Sequence, residues 1–182
     1  FRAYTAEAAR RLSVVEQPRP LPGLRLIDMQ GRDLRLADYR GRVMVVDFMF
    51  TRCPWICYAM GSSLEQLRAG LADAGRLHRV AFLSISFDPR HDGRDELRDY
   101  AARFDADGAQ WNVAVPRDPA RLRDLLRVFG VTVIPLEDCG FEHNAALHLV
   151  GPDGKIWDIR DYDDVAGTLA AITTRLEGDD GA

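Results

Sequence analysis

The chain has 182 residues and a formal charge of −4, a length that suits one domain whose core holds without disulfide staples. Its apolar and charged fractions are those of an ordinary globular protein, and so mild an acidity gives no ground for expecting a nucleic-acid or anionic-membrane partner. No stretch is apolar and long enough to span a bilayer, and a chain that starts at Phe1 without a signal peptide reads as a processed form or one trimmed of a targeting segment or anchor.

Residues 1–17 carry an Ala/Arg/Glu-rich pattern suited to a short helix, and Gln17 to Gly23, with three prolines, reads as an extended lead-in. Residues 1–23 are therefore set apart from a folded unit at 24–176. Leu24–Asp28 and Leu34–Leu36 flank Gln30–Asp33 and predict a hairpin. Arg42–Phe50 is dense in apolar residues and reads as a buried central strand. After a cysteine-bearing loop, Met60, Leu64, Leu67 and Leu71 repeat on one helical face that ends near Gly75. Arg79–Phe87 is the next strand. Leu97, Tyr100, Ala101 and Phe104 mark a second helix, Trp111–Val115 a short strand, and Leu122, Leu125, Leu126 and Phe129 a third helix. Leu147–Val150 and Ile156–Ile159 form a hairpin around Pro152-Asp153-Gly154. Val165, Leu169, Ile172 and Leu176 mark a closing helix, and 177–182 reads as a polar, frayed tail. Strands alternating with helices imply a three-layer α/β domain with at least one antiparallel pair. Nearly all basic residues are arginine, Lys155 being the one lysine, which reads as a GC-rich coding bias.

Three cysteines, two of them four residues apart, are not a disulfide scaffold. A close pair in a chain with its own core points to redox or metal chemistry. Cys53 and Cys57 fall where a strand passes into a helix, the place at which α/β sheets bind ligands. The helix N-terminus offers free N–H groups and partial positive charge, so at least one thiol is expected to have a lowered pKa. Thiolates are soft ligands that favour Cu(I) and Zn(II). The three-residue spacer lets both sulfurs face one point and equally permits a disulfide, so the pair alone leaves a metal site and a dithiol redox site both open.

Among four histidines, His78 and His91 lie in Arg/Asp-rich stretches and are expected in solvent. His143 and His148 lie just before and within one strand; an odd separation sends them to opposite faces, so only one reaches the cysteines. Spacing leaves His143 open between ligand and structural side chain. Cys139, four residues earlier, is open between a fourth ligand, a resolving thiol and a free buried cysteine. Met49 and Met60 flank the motif, with Met60 on the apolar face and so in the core. Asp47, in a buried strand, needs a partner, for which an arginine is expected. Asp88 is expected to orient the cysteine loop or cap the next turn.

Three segments in order carry a resemblance: Phe50-Thr51-Arg52-Cys53-Pro54-Trp55-Ile56-Cys57, then Ser86-Phe87-Asp88-Pro89 with Asp92, then Glu142-His143 ahead of Gly151-Pro152-Asp153-Gly154. From about Leu24 to Leu176 the chain resembles the Sco/SenC family of thioredoxin-like copper proteins linked to cytochrome c oxidase assembly. The chain departs from the family pattern at Tyr58 (usually Pro), at Gly93-Arg94 (commonly Thr-Pro) and at Glu142 (usually Asp). The resemblance implies a thioredoxin-like α/β fold with an N-terminal β-hairpin and an inserted helix. It also implies copper, as Cu(I) or Cu(II), on Cys53, Cys57 and His143, with Cys139 as a candidate extra ligand.

The function implied is a metallochaperone that delivers copper to, or matures the thiols of, the dinuclear copper site of an oxidase subunit. It would work in a bacterial periplasm, anchored to the inner membrane by a segment outside this sequence, with a thioredoxin-like reductant keeping the pair reduced. The competing reading is a thiol–disulfide oxidoreductase using Cys53 and Cys57 without metal. A peroxiredoxin-type peroxidase fits worst, since Thr51-Arg52-Cys53 is one residue short of its motif and Met49 stands in place of its proline.

Overall fold

A computed structural model describes residues 5–53, 55–137 and 140–180. In chain order the helices are α1 (Ala6–Glu16), α2 (Ile56–Asp73), α3 (Arg94–Ala102), α4 (Leu122–Phe129) and α5 (Val165–Asp180). The strands are β1 (Arg19–Pro20), β2 (Arg25–Asp28), β3 (Asp33–Arg35), β4 (Val43–Met49), β5 (Val80–Ser86), β6 (Trp111–Pro116), β7 (Val133–Pro135), β8 (Phe141–His143), β9 (Leu147–Val150) and β10 (Lys155–Arg160). Eight strands form one sheet in the order β1-β10-β9-β4-β5-β6-β2-β3, while β7 and β8 form a separate hairpin.

β4 and β5 run parallel at the centre, in register from Val43↔Val80 to Met49↔Ser86, and every residue of both is buried. Burial on both faces explains why these segments are continuous apolar runs without alternation. β9 joins β4 antiparallel, with Val46 opposite His148. The β2–β3 hairpin pairs with β6 at the far edge. Its turn is held by Asp28, which accepts from the Gln30 and Arg32 amides and from Arg32 Nε.

Helices cover both faces. On one, α2 packs its buried Met60, Leu64, Leu67 and Leu71 on the sheet; Tyr100 and Phe104 bring α3 against it, and Leu169 brings α5 against Gly70. A Cβ on Gly61 would intrude on the Phe104 ring, so this crossing needs glycine. On the other face Phe129 of α4 meets Phe48 edge-on at 5.0 Å. Arg10 of α1 donates to the Phe129 carbonyl and stands 3.3 Å from His148 Nε2. The thioredoxin-like three-layer arrangement with an N-terminal hairpin thus agrees with expectation.

Three details differ from it. Arg19–Pro20 of the lead-in is a short edge strand, paired with Lys155–Ile156. Residues 177–180 are helical, as α5 runs on to Asp180, and the last two residues of the expected tail lie outside the described residues. Val133–Pro135 and Phe141–His143, where the sequence pattern predicts no strand, pair as the β7–β8 hairpin.

Candidate metal centre

Parallel pairing of β4 with β5 places the loops after both strands side by side, and the site is built there. Asp92, 1 % exposed, accepts from the Thr51 amide (2.9 Å), the Thr51 hydroxyl (2.6 Å) and the Ser86 hydroxyl (2.5 Å). Asp88 accepts from Arg52 at 2.7 Å and faces His91 Nδ1 at 2.9 Å. The two acids after β5 therefore clamp the two residues before Cys53. The orienting role expected of Asp88 is what the geometry gives; the larger share, carried by Asp92 and Thr51, could not be read from the strand pattern.

Cys53 sits at the mouth of α2, with its sulfur accepting from the Cys57 amide at 3.3 Å. The sulfur thus takes the place of an N-cap oxygen. A hydrogen bond from the Cys57 thiol, joined by the Cys57, Trp55 and Ile56 amides, brings the Cys53 pKa down to about 6. The Cys57 thiol is held well above its usual value, by its bond to the Cys53 sulfur first and by burial second. One thiolate and one thiol is the resting state at neutral pH. Cys57 is fully buried and Cys53 is 8 % exposed, and both are free thiols. The Tyr100 hydroxyl donates to the Cys57 carbonyl at 3.1 Å, tying α3 to this turn.

His143 arrives on β8. Its Nε2 lies 4.0 Å from Cys57 Sγ, and its ring packs against Phe87 with centroids 5.0 Å apart. Phe141 meets Phe50 and Phe87 edge to face, while those two rings tilt against each other, and the trio seats the β7–β8 hairpin over the loops. Burial lowers the His143 pKa, so the ring is neutral at pH 7. Its Nδ1 is buried with no hydrogen-bond partner. As placed, no three Cys, His, Asp or Glu side chains among the described residues converge on one point; Cys57 touches Cys53 on one side and His143 on the other.

The remaining candidates separate cleanly. Cys139 lies outside the described residues. His148 does not share a strand with His143: it is on β9, fully buried on the opposite face, with Nδ1 3.3 Å from the Val46 carbonyl and a pKa driven by burial to about 3. His78 and His91 are exposed, although His91 is tied to Asp88. Met49 and Met60 are fully buried in the core.

Asp47 overturns the expectation of an arginine partner: it is fully buried, and neither carboxyl oxygen has a hydrogen-bond partner. Burial raises its pKa to about 7, opposed in part by the Ser84 hydroxyl and by the Asp47 backbone amide. That hydroxyl already accepts from Trp111 Nε1. Trp55 and Tyr58, 83 % and 58 % exposed, stand beside the cysteines, a feature hinted at only by Tyr58 replacing a proline.

Comparison with known proteins adds three observations. The SCO1/SenC family model matches residues 21–177. A SCO1 protein homolog from Bacillus subtilis is 28% identical over 143 residues, spanning 78% of this chain and 72% of its own. Two solved structures share the fold. Yeast Sco1 with copper bound has a TM-score of 0.75 at 20% identity, covering 88% of this chain and 90% of the other. BsSco, described as a member of the Sco family of cytochrome c oxidase assembly proteins in which a disulfide switch was identified, has a TM-score of 0.72 at 24% identity, covering 87% and 95%.

Proposed function

We propose, for a chain that belongs to the SCO1/SenC family, that Cys53, Cys57 and His143 take up copper as cargo and pass it to a dinuclear copper site in an oxidase subunit. The observation that carries this is the 4.0 Å between Cys57 Sγ and His143 Nε2. With bonds of about 2.3 Å to sulfur and 2.0 Å to nitrogen, as for zinc, two donors on one ion stand about 3.7 Å apart at a trigonal angle and about 4.3 Å when linear. The pair is thus spaced as donors in a site of low coordination number. The donors fit the ion in kind as well, two sulfurs and an imidazole being the ligands that soft Cu(I) prefers.

Each residue has its own part. Cys53 is already largely thiolate at neutral pH. Cys57 gives up its proton to solvent when a cation arrives, since metal competes with protons for the sulfur. His143, neutral through burial, offers a lone pair; its Nδ1 has no hydrogen-bond partner among the described residues, and the ring rests on Phe87 and on the Cys57 sulfur. A cation held by few ligands, beside Cys53 with its small exposed edge and the exposed Trp55 and Tyr58, can be passed on by ligand exchange. Loss of two electrons to an oxidant, with the one proton that the thiolate–thiol pair still holds, closes a disulfide and removes the site, so a thioredoxin-like reductant is the second partner. The place that suits such a cycle is the bacterial periplasm, at the inner membrane.

A second reading has its own observation: one thiol lowered and its neighbour raised is the division between an attacking thiolate and a resolving thiol. That would make the chain a thiol–disulfide oxidoreductase that matures the acceptor's cysteines. Titration of Cu(I) against a competing chelator separates the two. Cys53→Ser and Cys57→Ser are each expected to weaken binding roughly a hundredfold or more, and His143→Ala by roughly ten- to a hundredfold. Wild-type affinity in His143→Ala removes the histidine from the ligand set. Wild-type affinity in all three variants removes copper altogether, and a disulfide-reduction assay then tests the second reading.

A further inference from the structure

At the end of the sheet away from the cysteines, a cavity of about 290 Å³ opens where the lead-in at Leu21–Leu24 passes the β2–β3 hairpin and the Gly154 turn. Arg40 on its wall stands just before β4, whereas Cys53 follows the other end of that strand. Seven residues at about 3.3 Å each put the two sites roughly 20 Å apart. Leu21, Pro22 and Leu36 give the cavity an apolar base, and Arg25, Arg35 and Arg40 line it with no acidic residue among them.

All three arginines are exposed, yet two of them oppose each other on one sheet face. Arg25 and Arg35 are direct register partners in the antiparallel β2–β3 pair, so both side chains leave the same face. Like charges so opposed destabilise a sheet. Only Arg35 has a partner among the described residues, the exposed Asp38 at 3.1 Å. Arg25 and Arg40 make no ion pair there. The Arg40 side chain instead lies along the Gly154 turn, whose positive φ of 77° and lack of a Cβ leave room for it.

An adjoining groove shares Gly23, Leu24 and Arg25 and adds Arg117, Arg121 and the acidic Asp118, whose side chain accepts from the Ala120 amide. The two arginines it adds are matched by Asp33 and Asp124, so the groove carries no excess of positive charge, and the unmatched charge belongs to the first pocket, at Arg25 and Arg40. A concave wall of one sign over an apolar base concentrates its field, and paired guanidinium groups match tetrahedral oxyanions through parallel N–H donors. A volume just below the usual range for drug-sized ligands suits a single phosphate group better than a whole nucleotide.

We propose that this pocket binds a phosphate-class oxyanion, with Arg25, Arg35 and Arg40 as its donors. A soluble phosphate and the phosphodiester of a lipid headgroup share this chemistry, and the experiment has an arm for each. In the first, ¹⁵N–¹H spectra of the whole chain are followed as inorganic phosphate replaces chloride at constant ionic strength. Saturable shifts are expected at the Gly23, Leu24 and Gly154 amides, with affinity falling at least tenfold in Arg25→Gln/Arg40→Gln.

The second arm sediments the chain with vesicles of phosphatidylglycerol or of phosphatidylcholine alone. Recruitment to the former that is lost in the double variant identifies the headgroup; phosphate shifts without recruitment identify a soluble anion. Shifts that follow ionic strength only, or that persist in the double variant, overturn the proposal. Thermal melts in phosphate-free buffer check folding and test the premise independently: relieved of an opposed like charge, Arg25→Gln should melt no lower than wild type. A clear loss of stability would mean that Arg25 serves the fold and not a ligand.

Discussion

Two buried aspartates near the cysteines meet opposite fates. Asp92, in the loop after β5, is saturated: three donors from Thr51 and Ser86 converge on its carboxylate. Asp47, on β4 beneath the site, is equally buried and has none. Burial of a charge is tolerated only with partners, or else the group holds its proton. Asp92 follows the first course, its charge spent on holding the cysteine loop. Asp47 follows the second, with its pKa moved up to about 7. The difference separates a carboxylate that builds the site from one that the fold merely carries.

Removing the first acid breaks the comparison most severely. Asp92→Ala leaves the Thr51 amide and two hydroxyls without their acceptor in a dry environment. Hydrogen bonds to a charged group contribute about 1.5–3 kcal/mol each and do not add simply. The expected loss is about 3 kcal/mol in a denaturant melt, together with weaker Cu(I) binding because the Cys53 loop is released. Unchanged stability would mean that the clamp is incidental.

The second acid should behave in the opposite sense. The folded pKa of Asp47, about 7, lies above the ordinary carboxylate value of 3.8. The native state therefore keeps a proton that the unfolded chain releases. Its contribution is fully present below pH 3.8 and is lost as pH rises toward and through 7. Asp47→Asn mimics the protonated acid, so at pH 8 it should gain about 2 kcal/mol, less than the ~4 kcal/mol that such a shift represents in full. Below about pH 4 the gain should vanish. Melts at the two pH values test this, and an equal effect at both would mean that the change acts through packing and not charge.

Neither fate could be read from the sequence, although both acids could be noticed there. β4, β5 and α2 were legible because burial on two faces, or on one helical stripe, imposes a pattern on the residues themselves. What an aspartate meets depends on layers brought together from distant segments. Asp47 faces α2 and Ser84 rather than an arginine, and Asp92 reaches Thr51 only because the parallel β4–β5 register aligns two loops. The same limit explains His143 and His148. An alternation argument assumes one strand, but Asn144 breaks it: its side chain accepts from the Thr132 amide and donates to the Gly130 carbonyl, folding β8 away from β9. Strands of three residues, such as β7 and β8, carry too little pattern to find. The cysteine pair and His143 were visible as residue types; their 4.0 Å meeting was not.

Thr51→Val gives the smallest effect and the sharpest view of how Asp92 works. The change keeps shape while removing one of the three donors, the hydroxyl at 2.6 Å, and leaves the backbone amide in place. Asp92 would retain that amide and the Ser86 hydroxyl, so the loss should be about 1 kcal/mol, that of a single hydrogen bond. If the clamp positions Cys53, Cu(I) affinity should fall modestly with it, because the strand-to-helix turn begins at this residue. If stability falls and affinity does not, Asp92 holds the loop ends without setting the sulfur, and the positioning of Cys53 rests on the first turn of α2 alone.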